Sequence, residues 1–222
     1  KWHIGMTFLD RNGQPVYETS NQRGVELVRH ADLSQSQMES AIFDEADLSG
    51  ARVAGASLRG GRFQKTVMRG LQGPGAILDG VEMQNLSLEG SDFPDVQGDS
   101  AQLKGCRLQR VNFRGAALRN ANFHGALLGE AVFDDAQCEG ASFGHADLEK
   151  TSFVKTNLTI AELRGATLLG AIFDGCDLHS ANLAELDFRS PSLGRVSFAS
   201  ANLKKAVFTR CELRSVNFRD SN

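Results

Sequence analysis

The chain has 222 residues, a formal net charge of -3 and 41% hydrophobic residues, the balance of an ordinary folded protein. No stretch approaches the roughly 18 apolar residues of a membrane-spanning helix, and no secretory leader opens the sequence. These features set aside an integral membrane protein and give no reason to expect an exported one.

Residues 1–30 stand apart from the rest of the chain. Met6-Thr7-Phe8-Leu9, Asp10-Arg11-Asn12-Gly13 and Gln14-Pro15-Val16-Tyr17 predict two short strands joined by a tight turn, since Asn12 and Gly13 tolerate the positive φ of a type I′ hairpin. Trp2 and Tyr17, the only Trp and Tyr in the chain, also lie here. The first residue is Lys1 rather than Met, which fits a processed form or, preferentially, a fragment of a longer bacterial polypeptide.

From Leu33 to Phe218 one register holds without a shift. Every fifth residue is apolar with few exceptions: Leu33, Met38, Phe43, Leu48, Val53, Leu58, Phe63 and Met68 at the start, and Phe198, Leu203, Phe208, Leu213 and Phe218 at the end. Two places earlier sits a small residue, as in the run Ala116, Ala121, Ala126, Ala131, Ala136, Ala141, Ala146. Between them stands a polar residue, as in Ala46-Asp47-Leu48, Ala121-Asn122-Phe123 and Ala201-Asn202-Leu203. A period of five fits neither the 3.6 of a helix nor the 2 of a strand, so it reports a repeat architecture.

The pattern Ala-(Asp/Asn)-(Leu/Phe)-X-X resembles the tandem motif of the pentapeptide-repeat family over about 190 of the 222 residues. The resemblance implies an all-β fold, a right-handed quadrilateral β-helix in which four pentapeptides make one square coil of about 20 residues. A column of Leu and Phe in a narrow shaft leaves room for only a small second inward residue, which supports that fold independently. The 38 pentapeptides from Leu33 to Phe218 would make about nine coils, a rod of about 45 Å at a spacing of about 4.8 Å. The chain then divides into two units: an N-terminal hairpin cap over 1–30, needed because a bare solenoid end exposes strand edges, and a β-helix over 31–222. The C-terminal coil has no equivalent cap, so a homodimer through that end is a further expectation.

Two pentads lack their central apolar residue, placing Gly73 and Gly98 there instead. Gly73, Pro74 and Gly75 in one, and Pro94 and Gly98 in the other, are turn formers that suit two five-residue loops; the alternative keeps both pentads in the wall as shallow sides. Cys138 falls in a central slot and Cys106, Cys176 and Cys211 in small inward slots. Buried thiols too far apart to pair suit a reducing cytoplasm.

Charge alternates in blocks about one coil long. Asp32, Glu39, Asp44, Glu45 and Asp47 are followed by Arg52, Arg59, Arg62, Lys65 and Arg69, then by acids over 79–99, bases over 104–119 and acids over 130–149. A mixed stretch, an acidic block over 174–187 and a basic block over 189–219 complete the chain. The expected result is alternating charged rings that attract one another across neighbouring coils, each exposed pair contributing about 0–1 kcal/mol. Some members of the family protect type II topoisomerases, and the resemblance implies that they imitate duplex DNA with a long acidic face. Basic rings interrupt such a face here, so a gyrase-binding DNA mimic ranks as the alternative function. Direct nucleic-acid binding ranks lower, since the basic bands carry no interleaved aromatic surface.

No nucleophile elbow, phosphate-binding loop, dinucleotide fingerprint or zinc-ligand spacing occurs, which points away from an enzyme, a cofactor or a metal. His124 and His145 would meet on adjacent coils, but two imidazoles without a third ligand make a poor metal site. Asn157-Leu158-Thr159 matches a glycosylation sequon with its Leu facing inward. Five apolar residues take outward slots: Val132, Val154 and Ile172 on one face, with Leu127 and Leu169 on the face before it. They are the candidate interface of a non-enzymatic scaffold for a protein partner of unknown identity.

Overall fold

A computed structural model describes the backbone of 7–9 and 15–18 and the residues from 29 to 222 other than 210 and 212. Strands β1 (Thr7–Leu9) and β2 (Pro15–Glu18) pair antiparallel, with Phe8 opposite Tyr17 and an irregularity after Phe8. The expected turn at Asn12-Gly13 and most of the expected cap lie outside the described residues.

Beyond residue 29 the chain winds as a square solenoid. Isolated parallel bridges join outward residues to those 20 places on, in four columns. The first face runs Asp32, Arg52, Gln72, Asp92, Asn112, Val132, Ser152, Ile172, Ser192, the second from Gln37 to Asn217 and the third from Ile42 to Asn202. The fourth runs from Asp47 to Thr167 and resumes at Asp187–Val207. Around Phe123 the bonding unit is plain. Its N–H donates to Ser142 O at 2.7 Å, Ser142 N–H donates back to Ala121 O at 2.9 Å, and Ala126 N–H closes the corner onto Phe123 O at 2.9 Å. Among the described corners, all but Arg189-Ser190 place the second residue at positive φ and the first outside that region, the signature of a type II turn. Successive corners turn the chain through the four sides of the square.

The central residues fill the shaft. Phe113, Phe133, Phe153 and Phe173 form a column beneath the first face with centroids 5.1–5.3 Å apart. From the opposite face Phe123 meets Phe133 edge-on at 5.5 Å and 89°. Stacked and edge-to-face pairs of this kind add about 0.5–1.5 kcal/mol each beyond their buried area. Ser, Thr and Cys in the small slot gain a specific role, since that slot faces the corner carbonyl of the coil before. Thr66 Oγ1 donates to Phe43 O at 2.7 Å, Thr151 Oγ1 to Leu128 O at 2.8 Å and Thr156 Oγ1 to Phe133 O at 2.7 Å. Cys106 and Cys176 make the same contact through Sγ, to Met83 O and Phe153 O. Burial pushes the Cys106 thiol up to about 11 and raises Cys138 and Cys176 as well, so these thiols stay protonated fillers.

Gly73 and Gly98 stay in the wall. Gly73 N–H donates to Asp92 O at 2.8 Å, Gly75 N–H to Pro94 O at 2.9 Å and Gly98 N–H to Ala117 O at 2.7 Å, and the bridges Gln72–Asp92 and Gln97–Ala117 form. Of the two readings, loops at Gly73, Pro74, Gly75, Pro94 and Gly98 give way to wall. The reason is an exchange of volume between slots. Where the central residue is glycine, the small slot holds Leu71 or Val96, both fully buried. A Cβ on Gly73 would stand 2.7 Å from Phe93 Cε1 and 2.9 Å from Val53 Cγ2, and one on Gly98 3.0 Å from Leu118 Cδ2. The neighbouring coils already occupy the space.

One interruption is real. On the fourth face no bridge joins Thr167 to Asp187, and Ser190 Oγ accepts the Gly170 N–H at 3.1 Å where a backbone carbonyl serves elsewhere. Pro191 takes the small slot there and has no N–H with which to close its corner.

Candidate interaction surface

The five apolar outward residues do not form one strip. Val132 and Ile172 share the first face with Ser152 between them, and Leu127 lies on the fourth face. Leu169 occupies the corner joining those two faces, whereas Val154 lies on the far corner of the first, toward the second. Leu127 and Leu169 are 38% and 60% exposed, while Val132, Val154 and Ile172 are half-buried. Asp147 and the Lys150–Glu149 pair, at 3.3 Å, separate the two groups. The result is two apolar spots, Leu127 with Val132 and Leu169 with Ile172, about 10 Å apart along the axis at two coil steps.

The charged rings pair along the axis as their alternation predicts. Arg59–Asp79 at 3.0 Å, Lys65–Glu45 at 3.1 Å, Arg114–Asp134 at 2.8 Å and Arg119–Asp99 at 3.5 Å each join one coil to the next. Arg62 grips Asp44 through both Nε and a terminal nitrogen, and its hydrogen bonds hold the Asp44 carboxyl below the usual carboxylate range. Much of the surface charge is therefore committed to the wall itself.

A cleft of about 410 Å³ opens beside the interrupted fourth face, lined by Asp174, Arg189, Ser192 and Arg214 among others. Its polar groups are largely engaged: Asp174 accepts from Ser192 Oγ at 2.9 Å and Gly194 N–H at 2.6 Å, and Asp187 holds Arg189 Nε at 2.8 Å. The imidazoles of His124 and His145 do meet, with centroids 5.3 Å apart. Among the described residues no group of three or more His, Cys, Asp or Glu is placed to hold a metal ion, and no helix is long and apolar enough to cross a membrane.

A square wall of five-residue repeats, bridged every 20 residues, defines a β-solenoid. The model of the pentapeptide-repeat family matches 28–60, 99–135, 131–168, 156–190 and 192–222, and the chain belongs to that family, whose fold is the right-handed quadrilateral β-helix. Similar solved structures include HetL, a pentapeptide repeat protein involved in heterocyst differentiation regulation from the cyanobacterium Nostoc sp. strain PCC 7120. It is 25% identical, with 86% of this chain and 87% of that chain covered and a TM-score of 0.39. A pentapeptide repeat protein of the Arabidopsis thaliana thylakoid lumen is 30% identical over 43% of this chain and 69% of its own, with a TM-score of 0.35. Full-length QnrB1, a plasmid-mediated fluoroquinolone resistance protein, is 17% identical over 83% and 93%, with a TM-score of 0.30. No curated relative matches the chain.

Proposed function

We propose that the protein is a non-enzymatic scaffold, a rod of about nine coils closed at one end by residues 1–30, which binds a protein partner through the spots at Leu127, Val132, Leu169 and Ile172. The carrying observation is the exposure of Leu127 and Leu169 on a rigid wall whose outward positions are otherwise mostly polar. Apolar anchors surrounded by polar rim are the usual centre of a protein contact. The protonated, buried thiols suit a reducing cytoplasm. A second copy pairing end-to-end through Leu213 and Phe218, both exposed, would set Lys204, Lys205 and Arg219 of two copies against one another. Self-association there should therefore strengthen with salt, and light scattering at low and high salt reads it directly.

The double variant Leu127→Asp/Leu169→Asp should abolish co-purification of a partner from the source cells while leaving the circular dichroism spectrum unchanged. Equal capture by variant and parent refutes the assignment of this surface. The competing reading, a DNA-mimicking gyrase-binding protein, is opposed by axial ion pairs that neutralise carboxylates along the wall. Restoration of supercoiling by quinolone-inhibited gyrase on adding the chain would decide in its favour.

A further inference from the structure

One corner differs from the other three. The turns joining the third and fourth faces read Gln64-Lys65, Gln84-Asn85, Lys104-Gly105, His124-Gly125, Gly144-His145 and Arg164-Gly165, six in succession without a carboxylate. Over the same stretch the corner between the first and second faces carries Asp95, Asp134, Asp135 and Asp174. The next carries Asp79, Asp99 and Glu139, and the last Glu89, Glu130 and Glu149.

The side chains on this corner are arranged along the axis. Each imidazole folds over a glycine of the following coil: a Cβ on Gly144 would stand 3.0 Å from His124 Nδ1, and one on Gly165 2.6 Å from His145 Nδ1. Lys104 is exposed and has no carboxylate within pairing distance among the described residues, while Arg164 reaches Glu185 at 3.5 Å. The acids flanking the imidazoles are engaged. On the third face Glu162 accepts from Arg164 N–H at 2.8 Å and Asn182 Nδ2 at 2.7 Å. On the fourth, Asp147 accepts from Glu149 N–H at 3.1 Å and Thr167 Oγ1 at 2.9 Å, and Arg107 is held by Glu89.

We propose that this corner, from Lys104 to Arg164, docks an acidic polypeptide segment lying along the rod. It rests on the reading of the rod as a protein-binding scaffold but uses a surface separate from Leu127 and Leu169. The strip spans three coil steps, about 14 Å, the length of about four extended residues. Glu162 and Asp147 on either side confine it to the width of one chain, whereas a nucleic-acid duplex would set further phosphates over those carboxylates. No Phe, Tyr or Trp lies on the corner to stack the bases of a single strand. Lys104 and Arg164, at either end of the imidazole pair, repel a metal cation and attract an anion. A protonated imidazole adds positive charge to the strip, so acid strengthens the attraction.

A fluorescein-labelled all-Glu dodecapeptide tests this by anisotropy at low salt. It should bind about fivefold more tightly near pH 6 than near pH 8. His124→Gln/His145→Gln should remove that pH dependence, Lys104→Glu should weaken binding at both pH values, and His179→Gln, on another corner, should change neither. Loss of capture in the Leu127/Leu169 variant with peptide binding retained separates the two surfaces. The proposal is overturned by absence of saturable peptide binding near pH 6, by pH dependence that survives in the double histidine variant, or by equal affinity for an oligothymidine of the same length.

Discussion

Replacing Gly73 by alanine isolates the exchange of volume between the two inward slots. Gly73 is not among the residues at positive φ, so alanine meets no backbone penalty, and the loss of unfolded-chain entropy alone would stabilise by about 0.4–1 kcal/mol. The added Cβ, however, falls 2.7 and 2.8 Å from Phe93 Cε1 and Cδ1 and 2.9 Å from Val53 Cγ2, inside van der Waals contact on two sides. Overpacking of this kind costs about 1–3 kcal/mol, so the steric cost wins and the net change is a destabilisation of about 1–2 kcal/mol. Phe93→Leu removes the ring edge but leaves Val53. In that background Gly73→Ala should therefore cost less, with a coupling of about 0.5–1.5 kcal/mol. Urea denaturation of the parent, both single variants and the double variant, followed by circular dichroism, measures the cycle. Strict additivity, or a stabilising Gly73→Ala, would show that Phe93 and Val53 do not fill the vacant slot.

Ile160 is β-branched, sits at φ 51° and is 56% exposed, so its side chain gains little burial for a conformation that costs about 1–2 kcal/mol. Ile160→Gly should raise the unfolding free energy by about 0.5–1 kcal/mol after the entropy cost of glycine, read as a higher melting temperature; a lower one refutes the strain. Native-state labelling with a thiol reagent should modify Cys211, which is partly exposed, before the buried Cys106, Cys138 and Cys176. Rapid labelling of Cys138, found by peptide mass spectrometry, would contradict its place in the shaft.

The five-residue frame made the shaft legible, because Leu and Phe at one position and Ala two places earlier encode a single inward geometry. It located Cys138 and Cys176 inside and foretold ion pairs such as Arg59–Asp79, since charge sign reverses with the length of a coil. What it concealed depends on neighbours 20 residues away. Glycine at 73 suggests a loop when read beside Pro74 and Gly75, and reads as wall only when Leu71 is weighed against Phe93 on the next coil. The family model likewise leaves 61–98 unmatched, the stretch in which Leu71, Val81, Leu86 and Val96 enlarge the small slot. The interface was similarly half visible. Outward apolar residues stand out in the register, but their separation by Asp147 and the Glu149–Lys150 pair appears only once the coils are stacked. Pro191 was the available sign of the break on the fourth face, since a residue without an N–H cannot complete the corner.

A repeat as uniform as this one carries a hazard during folding: any coil can stack on any other and still hide its Leu and Phe. The axial ion pairs discriminate where the shaft cannot. If the chain skipped the coil bearing Arg59, Arg62 and Lys65, Asp44 and Glu45 would lie against the acidic block that begins at Asp79. A single skipped turn thus replaces several attractions with repulsions at once. Weak surface pairs, each too small to matter for global stability, thereby act together as proofreading for the order of the coils.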